Sequence, residues 1–235
     1  MNNYEYEINP MGIENKSMDI IEGLIGSESW DPLLKSVVHR IVHTSGDPDY
    51  ANIVKIHPDA IKSGIEALKK GALIITDVNM LKTGINKPAL NKTGSEAVCI
   101  VSDKEVADEA KRTGETRSMT AMKMLKEKMD GSIIAIGNAP TALFVVLEMC
   151  KNEGVKPALI IGTPVGFVGA AESKELLIEE SPVPYITVRG TKGGSPIAAS
   201  VINALLYSIV ERDWSFWKQK HLCFREQAQM LGKVL

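Results

Sequence analysis

From residue 70 onward the chain repeats one texture: a short, nearly unbroken run of aliphatic residues, then a longer stretch with apolar residues at helical spacing. The runs at 72–76, 97–101, 132–137, 158–162 and 185–189 predict five strands. Unbroken apolar runs, rather than alternating ones, mark strands covered on both faces, as in parallel sheets. Helical stretches follow at 104–112 with 119–128, then 140–153, 170–179 and 196–210. Strand and helix in alternation predict an α/β fold: a doubly wound, mainly parallel, five-stranded sheet with helices on both sides. Right-handed crossovers leave few other arrangements.

Three helical patterns precede the first strand. Segment 14–26 carries Met18, Ile20, Ile21, Leu24 and Ile25 and ends at Gly26, a residue suited to a left-handed cap. The second helix opens at Asp31-Pro32, an N-cap followed by proline at the first helical position. It continues through Leu33, Leu34, Val37, Val38, Ile41 and Val42 until Gly46-Asp47-Pro48 stops it. The third starts at Pro58 and runs through Ile61, Ile65 and Leu68. No repeat, low-complexity tract or linker divides the chain, so 1–235 reads as a single domain. Segment 211–235 differs: Trp214, Trp217, Leu222, Phe224 and Leu231 lie among Lys218, Lys220, Arg225 and Glu226. This reads as a C-terminal helical extension, docked on the core or anchoring a subunit contact.

Composition narrows the functional classes. The 235 residues are 44% hydrophobic and 24% charged, with a formal net charge of −2. Such a surface does not attract nucleic acid or anionic membrane, so an anionic ligand must be met by local positive charge. Cys99, Cys150 and Cys223 are far apart and odd in number, which argues for reduced thiols rather than a disulfide framework. The polar start from Met1 to Glu7 is unlike a secretory signal, and no apolar run approaches the ~18 residues of a membrane span. A cytoplasmic protein is expected.

In a doubly wound sheet, ligands bind beyond the carboxyl ends of the strands. The residues there are Thr76-Asp77, Ser102-Asp103, Gly137-Asn138-Ala139-Pro140, Gly162-Thr163-Pro164-Val165-Gly166, and Arg189 through Pro196. Their glycines would let backbone approach a ligand, and Asn138 and Ser195 read as N-caps of helices whose amide ends suit a carboxylate or phosphate. A nucleotide site is disfavoured. No Walker A motif is present, and the glycines from Gly162 to Gly169 are spaced one residue too widely for the dinucleotide fingerprint.

His39 and His43 are four apart on one helix and so share a face. A zinc motif would need glutamate at position 40, where Arg40 stands, so no metal site is expected. His43 lies in the last turn of its helix, where the negative end of the helix dipole favours a protonated ring. Such a group can lend a proton near neutral pH and take it back. Arg40, one turn earlier, can hold a carboxylate bidentately. Lys82, Lys87 and Lys92 read as solvated charges, whereas Arg117, in a Gly/Thr-rich connection ahead of a helix, is a candidate contact.

Five segments together resemble the precorrin-8X methylmutase (precorrin isomerase) family. They are Val38-His39-Arg40-Ile41-Val42-His43-Thr44-Ser45-Gly46-Asp47, Asp77-Val78-Asn79-Met80 with Gly84-Ile85, Gly137 through Leu143, Gly162 through Lys174, and Arg189 through Pro196. The likeness covers roughly 8–210, and the segment beyond is not part of it. It implies a three-layer α/β/α fold, a homodimer with substrate near the subunit contact, and no added cofactor. The implied reaction moves a methyl group from C-11 to C-12 of a corrin precursor, either precorrin-8X or cobalt-precorrin-8, to give hydrogenobyrinate or its cobalt counterpart. The family's catalytic histidine maps onto His43 and its substrate contacts onto Ser17 and Arg40; Arg117, Asn138 and Lys192 are weaker candidates from motif position. A flat ring bearing several carboxylates calls for an apolar slot rimmed by amides and a few cations, which these residues can supply. Two other readings compete: a phosphate-ligand enzyme using the Gly162–Gly169 loop, and a carrier that sequesters a corrinoid unchanged.

Overall fold

The computed structural model of the chain describes residues 7–210. The strands are β1 (Val54–Ile56), β2 (Ile74–Thr76), β3 (Ala97–Val98), β4 (Ile133–Ile136), β5 (Leu159–Gly162) and β6 (Tyr185–Val188). The helices are α1 (Pro10–Ile25), α2 (Pro32–Ser45), α3 (Tyr50–Ile53), α4 (Ala60–Lys69), α5 (Asn79–Gly84), α6 (Lys87–Thr93), α7 (Lys104–Thr113), α8 (Arg117–Met124), α9 (Pro140–Asn152), α10 (Ala170–Glu180) and α11 (Ser195–Tyr207). The expected helices of 211–235, and Cys223, lie outside the described residues.

One sheet holds all six strands in the order β1-β6-β5-β4-β2-β3. The five expected strands pair in parallel, and every residue of β2, β4 and β5 is buried, as their unbroken apolar runs require. The expectation of five strands is nevertheless one short. β1 adds an antiparallel edge, pairing Val54 with Val188 and Ile56 with Ile186, so the sheet is six-stranded and mixed. Its sequence, Val-Lys-Ile, is half-buried throughout and too short for a periodic pattern. The strand expected at 97–101 pairs only over Ala97–Val98.

Successive side chains of the buried strands go to opposite faces. Ile74, Ile133, Ala135, Leu159, Ile161 and Ile186 join a core with residues of α2, α4 and α11. Ile75, Ile134, Ile136 and Ile160 join a second core with residues of α8 and α9 and with Leu177 of α10. Helices therefore flank both faces. α11 is apolar nearly all round and is sandwiched against the sheet by α2 and α5, the place for a helix with little polar face.

Strand order reverses between β2 and β4: the chain leaves β2 outward to β3, then returns to β4 and proceeds the other way through β5 and β6. Asp77, directly after β2, is fully buried at this point. Its Oδ1 accepts the Gly137 amide at 3.0 Å, and its Oδ2 accepts those of Asn138 and Ala139 at 2.8 Å each. Burial pushes the carboxyl above the usual carboxylate range, and the three amides oppose that shift. Three donors facing one carboxyl leave no acceptor for a proton among them, so the geometry fits the ionised form. Asn138 and Ala139 lead into α9, and Asp77 therefore neutralises the positive end of that helix.

α1 starts at Pro10 behind an Asn9 cap, a turn before the apolar pattern begins, and ends at the left-handed Gly26. α2 opens as expected: Asp31 Oδ1 accepts the amides of Leu33 and Leu34 at 2.9 and 3.1 Å. Between the two helices, buried Ser27 meets the buried ring of His39, with Oγ and Nε2 2.6 Å apart. α5 and α6 were not expected, because Pro, Gly and Lys break their six- and seven-residue patterns.

Two outcomes are expected. Asp77→Asn turns one accepting oxygen into a donor facing donors and should lower unfolding free energy by about 1–3 kcal/mol in urea titrations; an unchanged midpoint would remove the carboxylate from this role. His39 is held below its ordinary pKa of 6.5 by burial first and by Lys35 second. The unfolded chain then binds the proton more readily, so this stability is present above pH 6.5 and is lost as pH falls through the lower folded value. His39→Gln should flatten the fall of the urea midpoint between roughly pH 7 and 5, and parallel curves for the two proteins would contradict it.

Candidate active site

The C-terminal half of α2 carries His43 in its last turn, followed by the left-handed Gly46. His43 is exposed and lines a hollow of about 230 Å³ with Ser17, Ile20, Leu24, Val42 and Pro48. Ser17 is half-buried on α1, its hydroxyl donating to the Ile13 carbonyl at 2.7 Å. The hollow thus pairs one imidazole and one hydroxyl with aliphatic walls. His39 turns the other way, into the α1–α2 junction, so the two histidines do not act as a pair. Among the described residues no cluster of three or more His, Cys, Asp or Glu could hold a metal ion.

Arg40 faces a second groove, of about 430 Å³, with Thr44, Met80, Thr83, Asn203 and Tyr207. Its Nη2 donates to Glu14 Oε1 at 2.5 Å, and its Cζ lies 5.5 Å from the centre of the Tyr207 ring. α2 therefore contributes to two hollows. The sequence places Arg40 and His43 within one turn, and they line two separate hollows.

Lys192 reaches this region from the β6–α11 loop. Its Nζ pairs with Asp47 Oδ2 at 2.5 Å and lies 5.7 Å over the Tyr50 ring. Asp47 sits between Gly46 and Pro48, which both wall the His43 hollow. The hydrogen bond from Lys192, helped by the Asp49 amide, holds the Asp47 carboxyl below its ordinary range. Arg117 and Asn138 lie elsewhere on the rim. Arg117 is exposed at the first position of α8, whose capping residue Thr116 also bonds Thr141 of α9 at 3.0 Å. Asn138 exposes its side chain, while its amide is committed to Asp77.

Two expectations need correction. Asn138 and Ser195 are not N-caps: Ala139 and Gly194 hold those positions, and Ser195 is the first residue of α11. The rim glycines at 137 and 193 are required by loop-to-loop packing. A Cβ on Gly137 would lie 2.6 Å from Ser195 Cα, and one on Gly193 would lie 2.3 Å from the Thr163 carbonyl oxygen, at a φ of +154°. The glycines bring strand-end loops together. Cys99 is half-buried just past β3, and Cys150 is buried, its thiol pushed up to about 11 by burial and then by Asp130.

Sequence reasoning missed several participants. Glu14 and Tyr207 hold Arg40, and Asp47 and Tyr50 hold Lys192. Lys174 is fully buried and donates to the Lys192 carbonyl at 2.6 Å, although Glu172-Ser173-Lys174-Glu175 reads as a solvated helix face.

Comparison with known proteins fits this frame. The family model described as precorrin-8X methylmutase matches residues 12–208. The chain is 46% identical over 201 residues to a cobalt-precorrin-8 methylmutase of Leptospira interrogans, covering 83% of this chain and 91% of that one. It is 39% identical to a precorrin-8X methylmutase of a Sinorhizobium species over 87% of this chain and 98% of that protein. A solved precorrin-8X methylmutase from Thermus thermophilus superposes with a TM-score of 0.78 at 36% identity, covering 84% of this chain and 95% of that one. No helix of the described residues is long and apolar enough to cross a membrane. The chain belongs to the precorrin-8X methylmutase family, isomerases of cobalamin biosynthesis.

Proposed function

We propose that the chain moves a methyl group from C-11 to C-12 of a corrin precursor, with His43 lending and recovering a proton. The observation that carries this reading is the shared hollow of His43 and Ser17, aliphatic on its walls and placed at the negative end of α2. A ring nitrogen protonated by His43 would draw electron density through the conjugated system and lower the migration barrier. The shift is intramolecular and needs no nucleophile. Holding the ring in one conformation supplies the remaining acceleration.

Arg40 would bind a side-chain carboxylate of the ring from the neighbouring groove. Because it rests against Glu14, an arriving carboxylate must share or displace that partner, so the site is close to neutral while empty. Lys192 beside Asp47 offers a second such exchange. Arg117 and Asn138 are the outer candidates on the rim.

A hollow of about 230 Å³ is smaller than the roughly 300–1,000 Å³ that encloses a drug-sized ligand. The macrocycle would therefore lie across its mouth, over Ile20 and Leu24, which are 54% and 62% exposed. A second copy of the chain would supply the missing wall, and a homodimer is the assembly we propose. Relatives carry the names of both the metal-free and the cobalt substrate, so both rings belong in any assay.

The test is turnover with each ring in excess over protein. Conversion of the excess supports catalysis, whereas a spectral change that stops at one ring per site would mean a carrier. His43→Ala should lower kcat by roughly 10²–10⁴-fold, the usual contribution of general acid catalysis, with ring affinity largely kept. Near-normal turnover of that variant removes His43 from the mechanism.

A further inference from the structure

We propose that Lys174 is a positioning residue: its buried ammonium holds the backbone of Lys192 so that the Lys192 side chain reaches Asp47, which sits between Gly46 and Pro48 of the His43 hollow. The proposal rests on the reading of Lys192 as a substrate contact.

Lys174 is 0% exposed in the first half of α10. That is a costly place for a cation, being both dry and near the positive end of a helix. Burial pulls its pKa down to about 8. A methionine would fill similar space without that cost, so what the lysine adds is a donor. The donor meets the Lys192 carbonyl at 2.6 Å.

The acceptor belongs to a loop with little freedom elsewhere. Gly194 donates its amide to the Thr163 carbonyl at 2.7 Å, Gly166 donates to the Thr191 carbonyl at 3.1 Å, and the Gly193 amide bonds the buried Tyr50 hydroxyl. Glu175, next to Lys174, approaches Arg189 Nε at 3.5 Å. Two consecutive residues of α10 thus hold the loop, Glu175 at its start from the surface and Lys174 at its middle from within. Beyond this anchor the Lys192 side chain extends toward Asp47 and over Tyr50.

The test compares full-length Lys174→Met, Lys192→Met and the double variant. In the substrate-free protein, amide exchange at Gly193 and Gly194 should quicken by about tenfold in K174M, one charge-assisted hydrogen bond's worth, while β4 and β5 amides keep their protection. In steady-state assays K174M and K192M should each raise KM by about tenfold with kcat nearly unchanged, and the double variant should be no worse than K192M alone. Lys174→Gln, which shortens the reach but stays polar, carries the same expectation if K174M does not fold. Unchanged exchange overturns the fastening, and additive KM effects or a loss confined to kcat overturn the positioning role. A wild-type chain that converts neither ring would refute the functional reading itself, and the exchange measurement, which needs no substrate, keeps the two failures apart.

Discussion

The carboxylate of Asp77 fills the point at which a doubly wound sheet ordinarily leaves a ligand crevice. β2 and β4 part company there, and the amides that would greet an incoming anion at the start of α9 are taken by a side chain of the protein itself. The consequence reaches the whole carboxyl edge. Gly137, pinned by Asp77, lies so close to Ser195 that the two loops pack backbone to backbone, and Gly193 does the same against Thr163. At these two points the rim is closed by backbone packing. The exposed His43 and the neighbouring Arg40 are found on α2 instead, each lining a hollow.

Much of the architecture was legible because it rests on local rules. Unbroken aliphatic runs named the parallel strands, and Asp31-Pro32 with Gly46 bounded α2 to within a residue. What escaped depends on distant partners. β1 is a strand only because β6 lies beside it, and its central lysine hides the pattern. α5 and α6 are short segments fixed by tertiary packing, with Leu81, Ala89 and Leu90 buried under α11 and the sheet.

The site was legible in its residues more than in its geometry. Helical spacing put Arg40 and His43 together, yet they line two separate hollows, and it also suggested a histidine pair that burial of His39 beside Ser27 breaks. Strand-end glycines looked like ligand-facing backbone, whereas steric contact with neighbouring loops explains those at 137 and 193. Lys174 could not be foreseen: flanked by glutamate and serine, it has the sequence of a wet helix face, and only the loop folded over it makes it dry.

The pairing of β1 with β6 also bears on how the chain is assembled at the ribosome. Val54 waits for Val188, and the inner face of α2 waits for α11, so α2 emerges long before its main partner can cover it. Val37, Val38, Ile41 and Val42 share their core with α11, so their burial is complete only when synthesis reaches that helix. Contacts so remote in sequence slow folding and prolong the interval in which sticky surface is open to other molecules. Truncations that remove α11 would leave that surface uncovered for good, so they should be lost to aggregation.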